Sequence, residues 1–213
     1  MNKYTIAEPV RQENIIEKSG FICTLAKVSS EAEAQDFIKS IKKEYWDATH
    51  NCSAYIIGKN SQTERSNDDG EPSGTAGLPM LEVLRKNSLY NVAAVVTRYF
   101  GGIKLGSGGL VRAYTGSVAQ GVRKAGLAEI VPMGVYSFLW EVKEVGKVLN
   151  ILYGQELFQV GNVEYGTRGT INIILPVAEK EKTEEWLTEN LRKTIELNQE
   201  KTYGEERKIT GKN

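Results

Sequence analysis

Hydrophobic and polar positions along this chain fall into short segments that can be read one at a time. Residues 21–28 (FICTLAKV) and 52–58 (CSAYIIG) are apolar runs bounded by polar or turn residues, and both predict strands. Between them Ser30 precedes EAEAQDFIKSIKKEY, with Glu33 three residues on. This capping box predicts an amphipathic helix that buries Ala34, Phe37, Ile38 and Ile41. Segment 61–74 reads as a loop, since Asp69-Gly70 and Glu71-Pro72 are turn signals. A second helix is expected from between Thr75 and Leu78 to about Asn87, because Pro79 is tolerated only in a first turn. The nearly continuous apolar run 91–97 (NVAAVVT) predicts a strand buried on both faces.

A third helix should open near Gly108 and end at Gly126, with Leu110, Tyr114, Val118, Val122 and Ala125 turned inward. Gly116 and Gly121 each cost about 1 kcal/mol against alanine in a helix interior. They imply that something approaches that backbone closely, and a sheet is the simplest candidate. After Pro132 the pattern changes to strand 136–142, helix 145–153, strands 158–165 and 170–175, helix 180–193 with Trp186 and Leu187 inward, and a closing strand within 194–203. That order is the ferredoxin-like split βαβ plan. The expected fold class is α+β in two domains, 1–134 and 135–213, with the boundary near 131–135.

Composition narrows the setting. The chain has 213 residues, and no stretch approaches the roughly 18 consecutive apolar residues of a membrane span. The first twenty residues lack an apolar signal core, and two cysteines, Cys23 and Cys52, make no disulfide framework. A reducing cytoplasm and no membrane partner are therefore expected. Basic and acidic residues balance at 27 each, yet Val83 through Ala128 contains no Asp or Glu. That stretch carries Arg85, Lys86, Arg98, Lys104, Arg112, Arg123 and Lys124, and it follows an acid-rich segment with Asp68, Asp69 and Glu71. Such a basic segment suits an anionic partner, and equally a solvated face.

The most informative stretch is TRYFGGIKLGSGG (97–109), five glycines between a buried strand and a helix. Glycines let successive N–H groups turn toward one anion, and a helix N-terminus adds unpaired donors and partial positive charge. The candidate phosphate-binding residues are Arg98, Gly101, Gly102, Lys104, Gly106, Ser107, Gly108, Gly109 and Arg112; the competing reading is a tight turn whose glycines only solve packing. Arg85, Lys86, Arg123 and Lys124 would extend the site as a nucleic-acid face. No nucleotide motif is matched. Ser107 and Gly108 stand where a P-loop needs Lys and Ser/Thr, and Val111 breaks the dinucleotide pattern. His50 is the single histidine and no G-x-S-x-G elbow exists, so no catalytic residue is assigned. Asp68, Asp69 and Glu71 could hold a hard cation, but a turn with its own Asx hydrogen bonds explains them more simply. No metal and no cofactor are expected. His50, Asp68, Asp69 and Glu71 are instead candidates for the second side of a cleft facing 101–109.

Three segments carry a resemblance: Ala48-Thr49-His50-Asn51-Cys52, the run 67–77 (NDDGEPSGTAG), and the run 95–114 (VVTRYFGGIKLGSGGLVRAY). In order and length they resemble the YigZ/IMPACT family, over about residues 15–128, and the remainder is similar to the family's smaller C-terminal domain. The resemblance implies a first domain like the second domain of small-subunit ribosomal protein five, and a ferredoxin-like second domain like the last domain of elongation factor G. Both of those relatives handle ribosomal RNA, which implies RNA or ribosome contact by analogy of fold. Eukaryotic members restrain a starvation-responsive translation kinase through an extra N-terminal domain that this sequence does not show. A protein partner in translation control is thus a further expectation, but that role is not transferred. Some bacterial members carry a proline-dipeptidase label, and nothing here resembles the metal constellation such chemistry needs. The expected function is a non-catalytic, translation-associated protein that binds RNA, the ribosome or another phosphate-bearing ligand. The alternatives are an enzyme acting on a small phosphorylated or acylated substrate between 68–71 and 101–109, and a protein-binding adaptor.

Overall fold

A computed structural model describes residues 4–209. The strands are β1 (Tyr4–Ile6), β2 (Val10–Ile16), β3 (Ser19–Lys27), β4 (His50–Ile57), β5 (Thr63–Asn67), β6 (Val92–Tyr99), β7 (Leu127–Trp140), β8 (Gln159–Tyr165), β9 (Gly169–Pro176) and β10 (Asn198–Lys208). The helices are α1 (Glu31–Glu44), α2 (Gly77–Lys86), α3 (Gly106–Ala125), α4 (Val145–Leu152) and α5 (Lys180–Leu191). Two compact units result, one reaching Glu129 and resuming at Arg207, the other spanning Ile130–Glu206. The chain passes from one to the other inside β7, which runs without a break through residues 131–135.

The first unit is built on an antiparallel sheet of order β2-β3-β6-β4-β5. Its central strand β6 is buried along seven of its eight residues, as a strand covered on both faces should be. α2 and α3 pack on each other and on the sheet through one face, and α1 covers β4 and β6 through the other. Ala34, Tyr55, Val28 and Ala93 form the buried seam under α1, with Phe37 and Ile38 half-buried beside them. Ser30 caps α1 by accepting the Glu33 amide at 3.2 Å, while the Glu33 carboxylate reaches back to the Ser29 amide at 2.8 Å.

Three sequence expectations change. The segment read as a loop contains β5, an edge strand (TERSN) whose all-polar composition shows no alternation. α3 begins at Gly106, two residues earlier than expected. Of its two interior glycines only Gly121 meets the sheet, since a Cβ there would lie 3.0 Å from Cys23 Sγ and 3.2 Å from Leu25 of β3; the space beside Gly116 is open. β1 and β2 also went unread, because β2 (VRQENII) carries no apolar face to mark it.

β2 and β3 are joined by a two-residue turn, Glu17-Lys18, and both residues have positive φ, 47° and 62°. A turn of this kind favours Asn-Gly, and each ordinary side chain held there costs about 1 kcal/mol. Gly101 packs directly against it, for a Cβ at Gly101 would lie 2.0 Å from the Lys18 carbonyl oxygen. The double variant Glu17→Asn, Lys18→Gly should therefore raise stability by about 1 kcal/mol. Urea unfolding should show a higher midpoint at unchanged slope; no rise would mean that the turn is relaxed by its contacts.

In the second unit the strand order is β10-β7-β9-β8, with α4 and α5 connecting the strands as the ferredoxin-like plan requires. Tyr136, Phe138 and Trp140 of β7 and Ile171, Ile173 and Leu175 of β9 alternate inward, against Val145, Val148 and Leu152 of α4 and Leu187 of α5. Trp186 packs edge-on against Phe158, ring centroids 5.6 Å apart.

Candidate functional site: a cleft at the glycine-rich loop

Strand register assembles the site. Phe21 of β3, Arg98 of β6 and His50 of β4 lie directly opposite one another across three adjacent strands. They therefore share one face of the sheet, the face that α3 covers, and Arg98 falls in the same inward row as Ala94 and Val96. A guanidinium carried into that layer needs a carboxylate. Glu71, from the turn between β5 and α2, supplies it: Arg98 Nη1 donates to Glu71 Oε1 at 2.6 Å, with both side chains under a tenth exposed. Tyr114 of α3 donates its hydroxyl to the same oxygen at 2.8 Å and accepts from the Cys52 thiol at 3.3 Å. Burial pushes the Cys52 thiol up to about 12 and raises the Tyr114 hydroxyl, so both stay protonated and act as donors. The Arg98 guanidinium carbon lies 5.5 Å from each of the Phe21 and Phe100 ring centroids. Arg98 Nε is buried without a hydrogen-bond partner.

His50 is positioned by its other neighbour. Its Nδ1 lies 2.8 Å from the Asp69 carbonyl oxygen, which can only accept, so Nδ1 carries a proton, and whenever the ring is neutral Nε2 is an acceptor. Nε2 lies 3.9 Å from Glu71 Oε2. Gly70, at φ 89°, lets the 69–71 turn close on this ring; a Cβ there would sit 3.3 Å from His50 Nδ1.

These groups form the floor of a cleft of about 460 Å³, lined by Thr49, His50, Glu71, Pro72, Arg98, Phe100, Lys104, Leu105, Gly106, Ser107 and Leu110. α3 enters it at its first turn. No side chain caps that turn, so Gly106 and Ser107 present backbone N–H groups at the positive end of a twenty-residue helix. Of the candidates read from the sequence, Arg98, Lys104, Gly106, Ser107, His50 and Glu71 meet here. Gly109 and Arg112 line a neighbouring cavity of about 470 Å³ with Lys104, Leu105 and Glu17. Gly101 lies outside both, its amide donating to Ser19 Oγ at 3.1 Å; Gly102 and Gly108 line neither cavity.

The two aspartates expected on the far wall are structural. Asp68 accepts the amides of Gly74, Ala76 and Gly77 at the start of α2, at 2.8, 3.1 and 2.8 Å. Asp69 binds Lys42 at 2.5 Å and the Asn51 amide at 2.7 Å. Burial works against ionisation of both carboxyls, but these donors outweigh it and hold each below the ordinary aspartate value.

The basic face is correspondingly reduced. Arg85 is bound by Glu64 and by Glu82, the latter at 2.5 Å, and Arg98 is buried. Lys86, Lys104, Arg112, Arg123 and Lys124 are exposed, with Lys124 donating to the Arg11 carbonyl oxygen at 2.9 Å. Among the described residues no group of three or more His, Cys, Asp or Glu side chains is placed to hold a metal ion, and no helix is long and apolar enough to cross a membrane. Tyr114, Cys52 and Phe100 are not among the candidate site residues read from the sequence. The available signal was Arg98 itself, which alternates in step with Ala94 and Val96 and so required a buried partner.

The fold is thus a two-unit α+β protein, an antiparallel sheet with helices on both faces followed by a ferredoxin-like unit. The family model of the Impact N-terminal domain matches residues 17–122. Over 87% of its length the chain is 48% identical to IMPACT family member YvyE of Bacillus subtilis, covering 85% of that protein. It is 38% identical to IMPACT family member YigZ of Escherichia coli, over 81% of this chain and 85% of the relative. A crystal structure described as that of a hypothetical protein superposes with a TM-score of 0.60 at 35% identity, over 92% of this chain and 95% of the other. The chain belongs to the IMPACT family.

Proposed function

We propose that this is a cytoplasmic, non-catalytic, translation-associated protein whose first unit binds a phosphate-bearing ligand, with RNA as the larger partner. One observation carries the reading: the uncapped N-terminus of α3 opens into the same cleft as Lys104, His50 and the buried Arg98. The family resemblance supports the link to translation. Arg112 and Arg123, exposed and eleven residues apart on α3, lie on one side of the helix and could continue phosphate contacts beyond the cleft.

The test is RNA binding measured against salt. Each phosphate contact contributes about 0.7–0.9 to the log–log slope, so Arg112→Ala with Arg123→Ala should flatten it by about 1–2 and weaken many RNA sequences alike. An unchanged slope would remove this face from the interface, and no RNA binding by the intact chain would defeat the RNA reading. The second reading, an enzyme acting on a small phosphorylated or acylated substrate, is favoured by one feature, the His50 ring held in the cleft with Nε2 beside Glu71. Turnover that disappears in a well-folded His50→Gln protein would establish it.

A further inference from the structure

The cleft has a second pole that an anion alone leaves unused. With Nδ1 of His50 committed to the Asp69 carbonyl, Nε2 of the neutral ring offers a lone pair. Glu71 Oε1 is already filled by Arg98 and Tyr114, whereas Oε2 lies 3.9 Å from that Nε2, beyond hydrogen-bonding range. Two acceptors thus stand side by side where the Glu71 side chain is only 3% exposed. The His50 side chain is 20% exposed, so a ligand can reach this acceptor pair, and a 3.9 Å gap accommodates one amino group whose two hydrogens bond to both. The same cleft has an apolar lining in Pro72, Phe100, Leu105 and Leu110. Phe100 is 46% exposed, yet its ring is held near the Arg98 guanidinium at 5.5 Å. An exposed, fixed aromatic ring is a stacking platform.

Donor end, apolar wall and acceptor end fit one kind of molecule. We propose that the cleft binds a nucleoside monophosphate unit, as a free nucleotide or as the terminal nucleotide of an RNA. The phosphate sits on the Gly106 and Ser107 amides with Lys104, the ring stacks on Phe100, and an amino group of the base donates to both His50 Nε2 and Glu71 Oε2. The volume, about 460 Å³, is in the range of small-ligand sites. Inorganic phosphate would leave the acceptor pair and the wall empty, and a sugar phosphate would leave Phe100 without a partner. This assignment rests on the anion site proposed above and names its ligand.

Calorimetric titration of the intact chain with inorganic phosphate, ribose 5-phosphate, adenosine and adenosine 5′-monophosphate tests it, repeated with the cytidine and guanosine monophosphates. The best nucleotide should bind at least about tenfold tighter than inorganic phosphate, the gain expected of one base–aromatic stack. Phe100→Ala, a substitution at an exposed ring, should erase most of that gain and bring nucleotide affinity close to that of ribose 5-phosphate. Nucleotides that bind no tighter than phosphate or ribose 5-phosphate would overturn this inference and leave the anion site standing. Binding of none of these compounds would overturn both. A short RNA with a 5′-phosphate decides the source: tighter binding than the free nucleotide, lost with a 5′-hydroxyl, identifies an RNA end, and no such preference identifies a free nucleotide.

Discussion

Replacing Glu71 with alanine should be among the most damaging single changes in the first unit, costing about 3–5 kcal/mol. The carboxylate is the hydrogen-bonding partner of the Arg98 guanidinium and of the Tyr114 hydroxyl, and both donors lie in the layer between sheet and helix. Its removal leaves a buried cation whose Nε is already unpartnered, together with a buried hydroxyl that has lost its acceptor. Tyr114→Phe removes one donor and keeps the ion pair, so it should cost only about 1–2 kcal/mol. If the loss in Glu71→Ala comes from the stranded charge, adding Arg98→Met and Tyr114→Phe should restore much of it, because a buried pair replaced by apolar groups of similar volume is close to neutral. Urea unfolding of the single, double and triple variants measures this. A triple variant no more stable than Glu71→Ala would show that the network holds the 69–71 turn in place and that the charge itself is a minor matter.

Much of the fold is legible in the sequence because most elements bury a face that composition marks. The split βαβ order of the second unit follows from alternation in 136–140 and 171–175 and from the amphipathic runs around Val148 and Leu187. β2 and β5 are hidden for the opposite reason. Each is an edge strand, paired on one side only and largely exposed, so VRQENII and TERSN have no apolar row to betray them. The site is legible in its parts more than in its geometry. The glycine-rich loop does open a helix, and His50 and Glu71 do face it, but which acidic residue would enter the cleft depends on the backbone of the turn. Positive φ at Asp69 and Gly70 turns the Glu71 side chain inward, and the two aspartates are taken up by amides and Lys42. By position alone Arg98 flanks the glycine-rich loop together with Lys104; counting by twos from Ala94 places it inside. The absence of carboxylates from 83–128 suggested a wide basic face, and it overstated one, because Glu64 neutralises Arg85 and Glu71 neutralises Arg98 from outside that window.

Asp68→Ala should destabilise the first unit by about 2–4 kcal/mol, as much as a severe loss of a helix cap, although Asp68 lies nine residues before the start of α2. The residue just ahead of that helix, Ala76, has no side chain able to cap it, and Pro79 occupies its first turn. One carboxylate does the work at a distance: Oδ1 accepts the amides of Ala76 and Gly77, and Oδ2 accepts that of Gly74. The 68–77 loop is thereby folded back on itself, and its Asp68 carbonyl oxygen lies 2.9 Å from the Cys52 sulfur and shares the one thiol hydrogen with the Tyr114 hydroxyl, which ties the loop to β4. The same bonds give the effect a sign in pH. Burial raises the Asp68 carboxyl, the three amides lower it further than burial raises it, and the folded value ends below the ordinary 3.8. Its contribution is therefore complete above about pH 4, where the unfolded chain is also ionised, and is lost as the pH falls through the lower folded value. Asp68→Asn keeps one acceptor and the shape but does not titrate. Unfolding free energies of the native protein and Asp68→Asn should differ most near pH 7 and converge as the pH falls from about 4 through the lower folded value. A gap that stays constant across that range would mean that geometry, and no longer the carboxylate charge, holds α2 in place. A gap that widens in acid would reverse the assignment of the amides as the dominant influence on this group.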